Sequence, residues 1–267
     1  MSGRTLSAEP LNLFFAALSG LVLLFILAPL AAMYLNCSVA DLKTTVEDRE
    51  VWGSIWLTLW TAMLGTLLFA LAAVPFAYLL SRKEFRFKNW VAAVVALPVV
   101  IPHSAAGIAI LSVVAGDRLL GKAAAALGLR VIDHPLGIIL AMSFVSIPFL
   151  IHSAREGFDA VPRRLELAAL NLGASPGRVF FTIALPLAWR GILSGLILMW
   201  ARGMSEFGAV VIVAYHPMVA PVLIYDRFGS FGLKYARPAA VLFVSVCLIV
   251  FVALRWLCRK ENHAERR

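Results

Sequence analysis

The sequence predicts an all-α membrane protein: six transmembrane helices with short coupling helices on the cytoplasmic side. The first observation behind this is composition. Hydrophobic residues make up 61% of the 267, charged residues only 15%, and mean hydropathy is +0.88. Ordinary globular domains hold roughly 45–50% and 25%. So few charges cannot cover a soluble surface, which excludes a cytosolic enzyme and, with it, disorder, collagen and coiled coil. The second observation is the length of the apolar runs, because a bilayer core about 30 Å thick requires about 20 apolar helical residues. The third is an asymmetry of Lys and Arg between alternate loops.

Six segments qualify as spans: 11–35, 52–80, 90–115, 136–153, 188–213 and 238–257. The first run exceeds the roughly 7–15 apolar residues of a signal-peptide core and is read as a retained helix. The second ends at the basic loop 81–89, SRKEFRFKN. The third contains Pro98 and Pro102, and the fourth Pro148, all expected to kink their helices. Residues 154–190 form the long loop before the fifth span, and the sixth leads to a basic tail. No segment outside the spans is long enough for a separate soluble domain, so 1–267 reads as a single transmembrane domain.

Orientation follows from the cations. Fifteen Lys and Arg fall on the side of the N-terminus, loops 81–89 and 154–190 and the tail, against eight opposite. Cytoplasmic loops collect Lys and Arg, so both termini are expected in the cytoplasm of a multi-pass cell-membrane protein. The same bias explains the net charge of +9 without a nucleic-acid partner. Cys37, Cys247 and Cys258 share no metal-site or disulfide spacing. The five histidines lie on different segments, and neither HExxH nor GxSxG occurs, so no metal site and no catalytic residue is expected. Gly116 to Ala123 nearly spells a phosphate-binding loop. Ala123, however, stands where a hydroxyl must hold Mg²⁺, and a membrane span rather than a strand precedes it.

The informative stretch is 154–186. Pro162 precedes a short helical run that Gly173 can close as a left-handed C′ residue. Ser175 reads as an N-cap with Pro176 at the first helical position. Pro186 is expected to halt this second run before the next span. Ala168 and Ala169 keep one face small, so that another protein could approach closely. An interfacial loop resting on lipid headgroups is the competing reading.

The spacing Ala168-Ala169-x3-Gly173-x9-Ile183-x-Leu185-Pro186 resembles the EAA loop of ABC importer permeases. The consensus Glu falls on Leu167, and this chain has Glu166 one place earlier. In that family the loop forms the coupling helix that docks into a separate ATP-binding subunit. The resemblance therefore implies a coupling role for Glu166, Ala168, Ala169, Gly173, Ile183, Leu185 and Pro186. Residues 97–103 (LPVVIPH), 200–210 (WARGMSEFGAV) and 214–225 resemble the molybdate/tungstate permease subunits, the last of the three resembling those of archaeal type most. Sulfate/thiosulfate permeases share the general plan and are the alternative.

Arg202 and Glu206 lie four residues apart in the fifth span, where a lone charge costs about 2.5–3.5 kcal/mol on insertion scales. They are expected to pair with each other, either as a pore-lining gate or as a structural pair. Pro98, Pro102, His103 and Ser205 join them as candidates for the translocation pathway. Gly191-x3-Gly195 is expected to permit close helix contact.

The resemblance implies the membrane subunit of an importer for molybdate or tungstate. Its expected partners are a second copy of the chain, ATP-binding subunits carrying ATP and Mg, an extracytoplasmic oxyanion-binding protein, and membrane lipid. No cofactor is expected on this chain, which is not expected to be an enzyme. A passive channel would need no coupling loop, and a polytopic membrane enzyme would need catalytic groups clustered at one depth.

Overall fold

The computed structural model describes residues 9–264, with the side chains of Glu9, Pro10, Leu119 and 254–264 outside that description. Cys258, His263, Arg4 and the basic residues of the tail thus lie outside the described residues or side chains. Every regular element among the described residues is helical. The chain divides into two compact units, residues 1–49 with 226–267 and residues 50–225.

In the first unit, α1 (Glu9–Leu35) and α13 (Leu233–Ala264) are apolar enough to cross a membrane, and the short α2 (Val39–Glu47) follows α1. Leu and Phe are exposed along the length of α1, as suits a helix solvated by lipid. Tyr34 bonds to Ser245 at 2.8 Å and Arg227 to Asp48 at 2.7 Å, tying α1 to α13 and α12 (Ala220–Phe231) to the end of α2.

The second unit is built on α3 (Arg49–Arg82), α7 (Pro135–Asp159) and α10 (Leu185–Met204). Its core gathers Ala73, Ala77 and Leu80 of α3, Leu150 and Phe158 of α7, and Ala188 and Met199 of α10. α7 and α10 cross backbone against backbone. A Cβ added to Gly191 would lie 2.6 Å from Gly157 Cα and 2.9 Å from the Ser153 carbonyl. Gly195 meets Leu150 and Ser153 in the same way, so the Gly-x3-Gly pair permits the close contact expected of it.

Among the described residues, five helices are long and apolar enough to span, and a sixth span is present if one bent pair counts as one. That pair corrects the third expected span. α4 (Lys88–Val100) and α5 (His103–Val114) bend by 112° at Ile101–Pro102, a break rather than a kink. Pro102 cannot donate to the ladder and Ile101 before it is extended, with ψ 146.

The fifth span is corrected at both ends. It begins at Pro176 rather than 188, and stops at Met204 rather than 213. Pro186 does not halt the preceding run: α9 (Pro176–Val179) enters a π turn at Phe180–Ala184 that continues into α10. The wider π turn ahead of Pro186 shifts the hydrogen-bond ladder where the ring has no N–H to give. After Met204 the chain breaks at Ser205–Phe207 and restarts as α11 (Gly208–Val213).

Candidate functional site

Two groups of functional candidates come together in the second unit. The first joins the two helix breaks. Glu206 is fully buried two residues past the end of α10, its amide bonded to the Gly203 carbonyl at 3.0 Å. Its Oε2 accepts from Arg202 Nη2 at 2.8 Å and lies 3.1 Å from His103 Nδ1. Its Oε1 accepts from the Ala209 amide at 2.9 Å, capping the restart of the chain as α11. Arg202 Nη2 also lies 3.0 Å from both His103 Nδ1 and His103 Nε2. A proton on Nδ1 lets the ring donate to Glu206 while Nε2 accepts from Arg202.

This charged knot holds the break between α4 and α5 against the break between α10 and α11. Space is tight there, since a Cβ on Gly208 would lie 2.8 Å from His103 Cβ, and one on Gly107 3.0 Å from the Ala209 carbonyl. Of the other candidates, Ser205 is exposed, donates to the Arg202 carbonyl at 3.0 Å and accepts from Arg202 Nη1 at 3.2 Å. Pro102 is the exposed N-cap of α5, while Pro98 is buried in α4 outside the knot. The predicted Arg202–Glu206 pair forms. Sequence reasoning missed the Ala209 amide and the helix stop that lets Glu206 reach it; Gly208 was the available signal.

A cavity of about 360 Å³ opens between α4, α7 and α10. Val99, Val100, Pro148 and Leu198 line it, together with His152 and Glu156 of α7. Neither ionisable residue stood out in the sequence.

The second group is the long loop. α8 (Arg163–Asn171) ends as expected, with Gly173 at φ +86. The Gly173 amide bonds to Leu170 O at 2.9 Å and the Ala174 amide to Ala169 O at 3.0 Å, the paired bonds of a Schellman end. Ser175 Oγ accepts from the Arg178 amide at 3.3 Å, so the N-cap also forms. Ala168 is exposed and Ala169 half-buried. Further on, Ile183 and Ala184 close the π turn, and Leu185 and Pro186 open α10.

Glu166 is the one buried residue of α8. Arg82 Nε and Nη2 reach its Oε1 at 2.8 and 2.7 Å, and the Tyr78 hydroxyl donates to Oε2 at 2.9 Å. Arg82 and Tyr78 went unnoticed because each lies more than 80 residues from Glu166 in sequence.

Comparison with known proteins places this geometry. Residues 73–262 match the model of the family described as binding-protein-dependent transport system inner membrane component. The molybdate/tungstate transport system permease protein WtpB of Pyrococcus furiosus is 43% identical, covering 94% of this chain and 96% of the relative. A probable sulfate transport system permease protein of Zygnema circumcarinatum is 31% identical over 91% of this chain and 86% of its own. Among solved structures, a chain of a bacterial ABC transporter that imports the acidic polysaccharide alginate superposes with TM-score 0.72 at 16% identity, covering 95% of this chain and 97% of that one. The chain belongs to the family of inner membrane components of binding-protein-dependent transport systems.

Proposed function

We propose that this chain is the transmembrane subunit of an ATP-driven importer that moves molybdate or tungstate across the cell membrane. The observation that carries the reading is the 43% identity, over nearly the full length of both chains, to a permease named for those two oxyanions. Relatives named for sulfate are more distant, at 31% or below.

ATP and Mg are bound and turned over on separate subunits, which the loop 154–186 engages through Ala168, Ala169 and Gly173, with Ile183, Leu185 and Pro186 carrying the loop into α10. Glu166 stands one position out of the matched register and belongs to the same coupling stretch. The whole chain, 1–267, works as one permease domain with both termini in the cytoplasm. Two copies enclose one route, and an extracytoplasmic binding protein delivers the anion.

The knot of His103, Arg202 and Glu206 supports a gate between two broken helices. His103 is the member of the knot that belongs to α5, so α5 parts from α11 by giving up the His103 contacts to Glu206 and Arg202, while Glu206 keeps Arg202 and the Ala209 amide. Ser205 sits at the exposed edge of the knot, and Pro98 and Pro102 shape the broken helix that would move.

The test is competition of uptake in cells that depend on this transporter. Excess tungstate is expected to abolish molybdate uptake, with sulfate at the same concentration having little effect. Uptake abolished by sulfate and indifferent to tungstate moves the chain to the sulfate class.

A further inference from the structure

The matched loop has its carboxylate one position out of register, and the structure shows where that carboxylate goes. Leu167, in the register of the family Glu, is 52% exposed, whereas Glu166 is turned inward and 5% exposed. Of α8, only Glu166 is buried, so its carboxylate is the inward anchor of the helix.

The fastening has three parts. Arg82 ends α3, and its Nη2 also donates to the Val161 carbonyl at 3.1 Å, just ahead of α8. Arg163 donates back to the Arg82 carbonyl at 3.4 Å. Tyr78, which holds the other carboxylate oxygen, packs edge-on against Phe158 of α7 at 5.2 Å and Phe180 of the π turn at 5.0 Å. One carboxylate thus ties the loop to α3 directly, and to α7 and the entry of α10 through a single aromatic ring.

We propose that Glu166 is a positioning residue that transmits movement of α8 into the membrane helices through Arg82 and Tyr78, rather than a contact to the ATP-binding subunit. This rests on the reading that the loop docks on that subunit. A buried pair is a poor source of stability, because desolvation of both ions offsets their attraction, but losing either partner leaves a buried charge uncompensated. An apolar residue would pack α8 equally well. The ion pair instead gives a directional link that holds while α8 is pushed or pulled.

The experiment uses the full chain assembled with its ATP-binding subunits in vesicles, and reads subunit retention, ATP hydrolysis and molybdate uptake per ATP. Glu166→Gln and Arg82→Gln are expected to retain the subunits and hydrolyse ATP while uptake per ATP falls about tenfold, within the usual range of coupling between sites. Arg82→Lys, which keeps the charge, is expected to recover most of it. Tyr78→Phe removes one hydroxyl, leaves the ring packed, and is expected to lower uptake per ATP about threefold with a modest loss of stability and the subunits retained. Ala168→Trp, on the exposed face of α8, tests docking itself and is expected to release the subunits.

Release of the subunits by Glu166→Gln but not by Arg82→Gln overturns the proposal in favour of a direct contact. Wild-type uptake per ATP in Tyr78→Phe and in both Gln variants overturns it too. Given wild-type uptake per ATP in those three variants, an Ala168→Trp that leaves assembly intact means that the docking reading has failed, whereas an Ala168→Trp that releases the subunits means that only the anchor has failed.

Discussion

Truncation of Glu206 to alanine tests the charged knot most severely. The carboxylate is fully buried, accepts from Arg202 at 2.8 Å and the Ala209 amide at 2.9 Å, and lies 3.1 Å from His103 Nδ1. Removing one member of a buried ion pair costs about 3–5 kcal/mol, because the remaining charge has no counter-ion. Here the side chains of Arg202 and His103 are 21% and 38% exposed, so each can recover some solvation. That places Glu206→Ala near the lower limit, about 3 kcal/mol. Glu206→Gln keeps the volume and one acceptor and should cost about 1–3 kcal/mol. Arg202→Met combined with Glu206→Gln leaves no buried charge from the pair, and should be less destabilised than the sum of the singles by about 1 kcal/mol or more. Equilibrium unfolding of the purified chain in mixed micelles measures all of these. A Glu206→Ala variant within about 0.5 kcal/mol of wild type, or strict additivity in the double variant, refutes the knot as an energetically coupled unit.

Three further outcomes follow from the geometry. Gly191→Leu should destabilise by about 3 kcal/mol, because its side chain would meet the Gly157 and Ser153 backbone rather than a movable group; Gly53→Ala, with nothing within 4 Å, should be neutral or slightly stabilising in the same unfolding assay. Gly173→Val should add about 1–2 kcal/mol of strain at φ +86 and disrupt subunit assembly or coupling, while leaving membrane insertion unaltered, as read by co-purification and protease protection; Gly229→Val should assemble normally. The Cys37 thiol is held above its ordinary range by burial and then by Asp41, partly offset by Arg237. At a fixed pH below that raised value, Asp41→Asn should therefore speed alkylation of Cys37 and Arg237→Gln should slow it, measured by mass spectrometry.

Much of the fold was legible because the bilayer demands long apolar runs, and composition alone reveals them. The Gly173 end and the Ser175 cap were legible too, since a left-handed residue and an N-cap hydroxyl are local requirements that residue type expresses directly. The break at Ile101–Pro102 was half legible: proline marks a lost donor, but whether a helix kinks or turns by 112° depends on what packs beside it. The stop at Met204 was hidden, because Ala201 to Met204 continues the helical pattern and Glu206 ends it only by reaching the Ala209 amide. Pro186 misled for the opposite reason, a local rule being overridden by the π turn before it. The anchor of Glu166 was beyond sequence reasoning, since Arg82 lies 84 residues away and counts, by itself, as one more loop cation.

The central claim is that this chain is a membrane route driven by ATP hydrolysed on another subunit. Its most direct test is molybdate uptake into vesicles holding the chain, with and without its ATP-binding subunits, the binding protein being supplied on the outside. The account predicts uptake only when the subunits are present and ATP and Mg are enclosed, and its loss in Gly173→Val. Equal uptake by the chain alone, without ATP, would make it a passive pore and contradict the account.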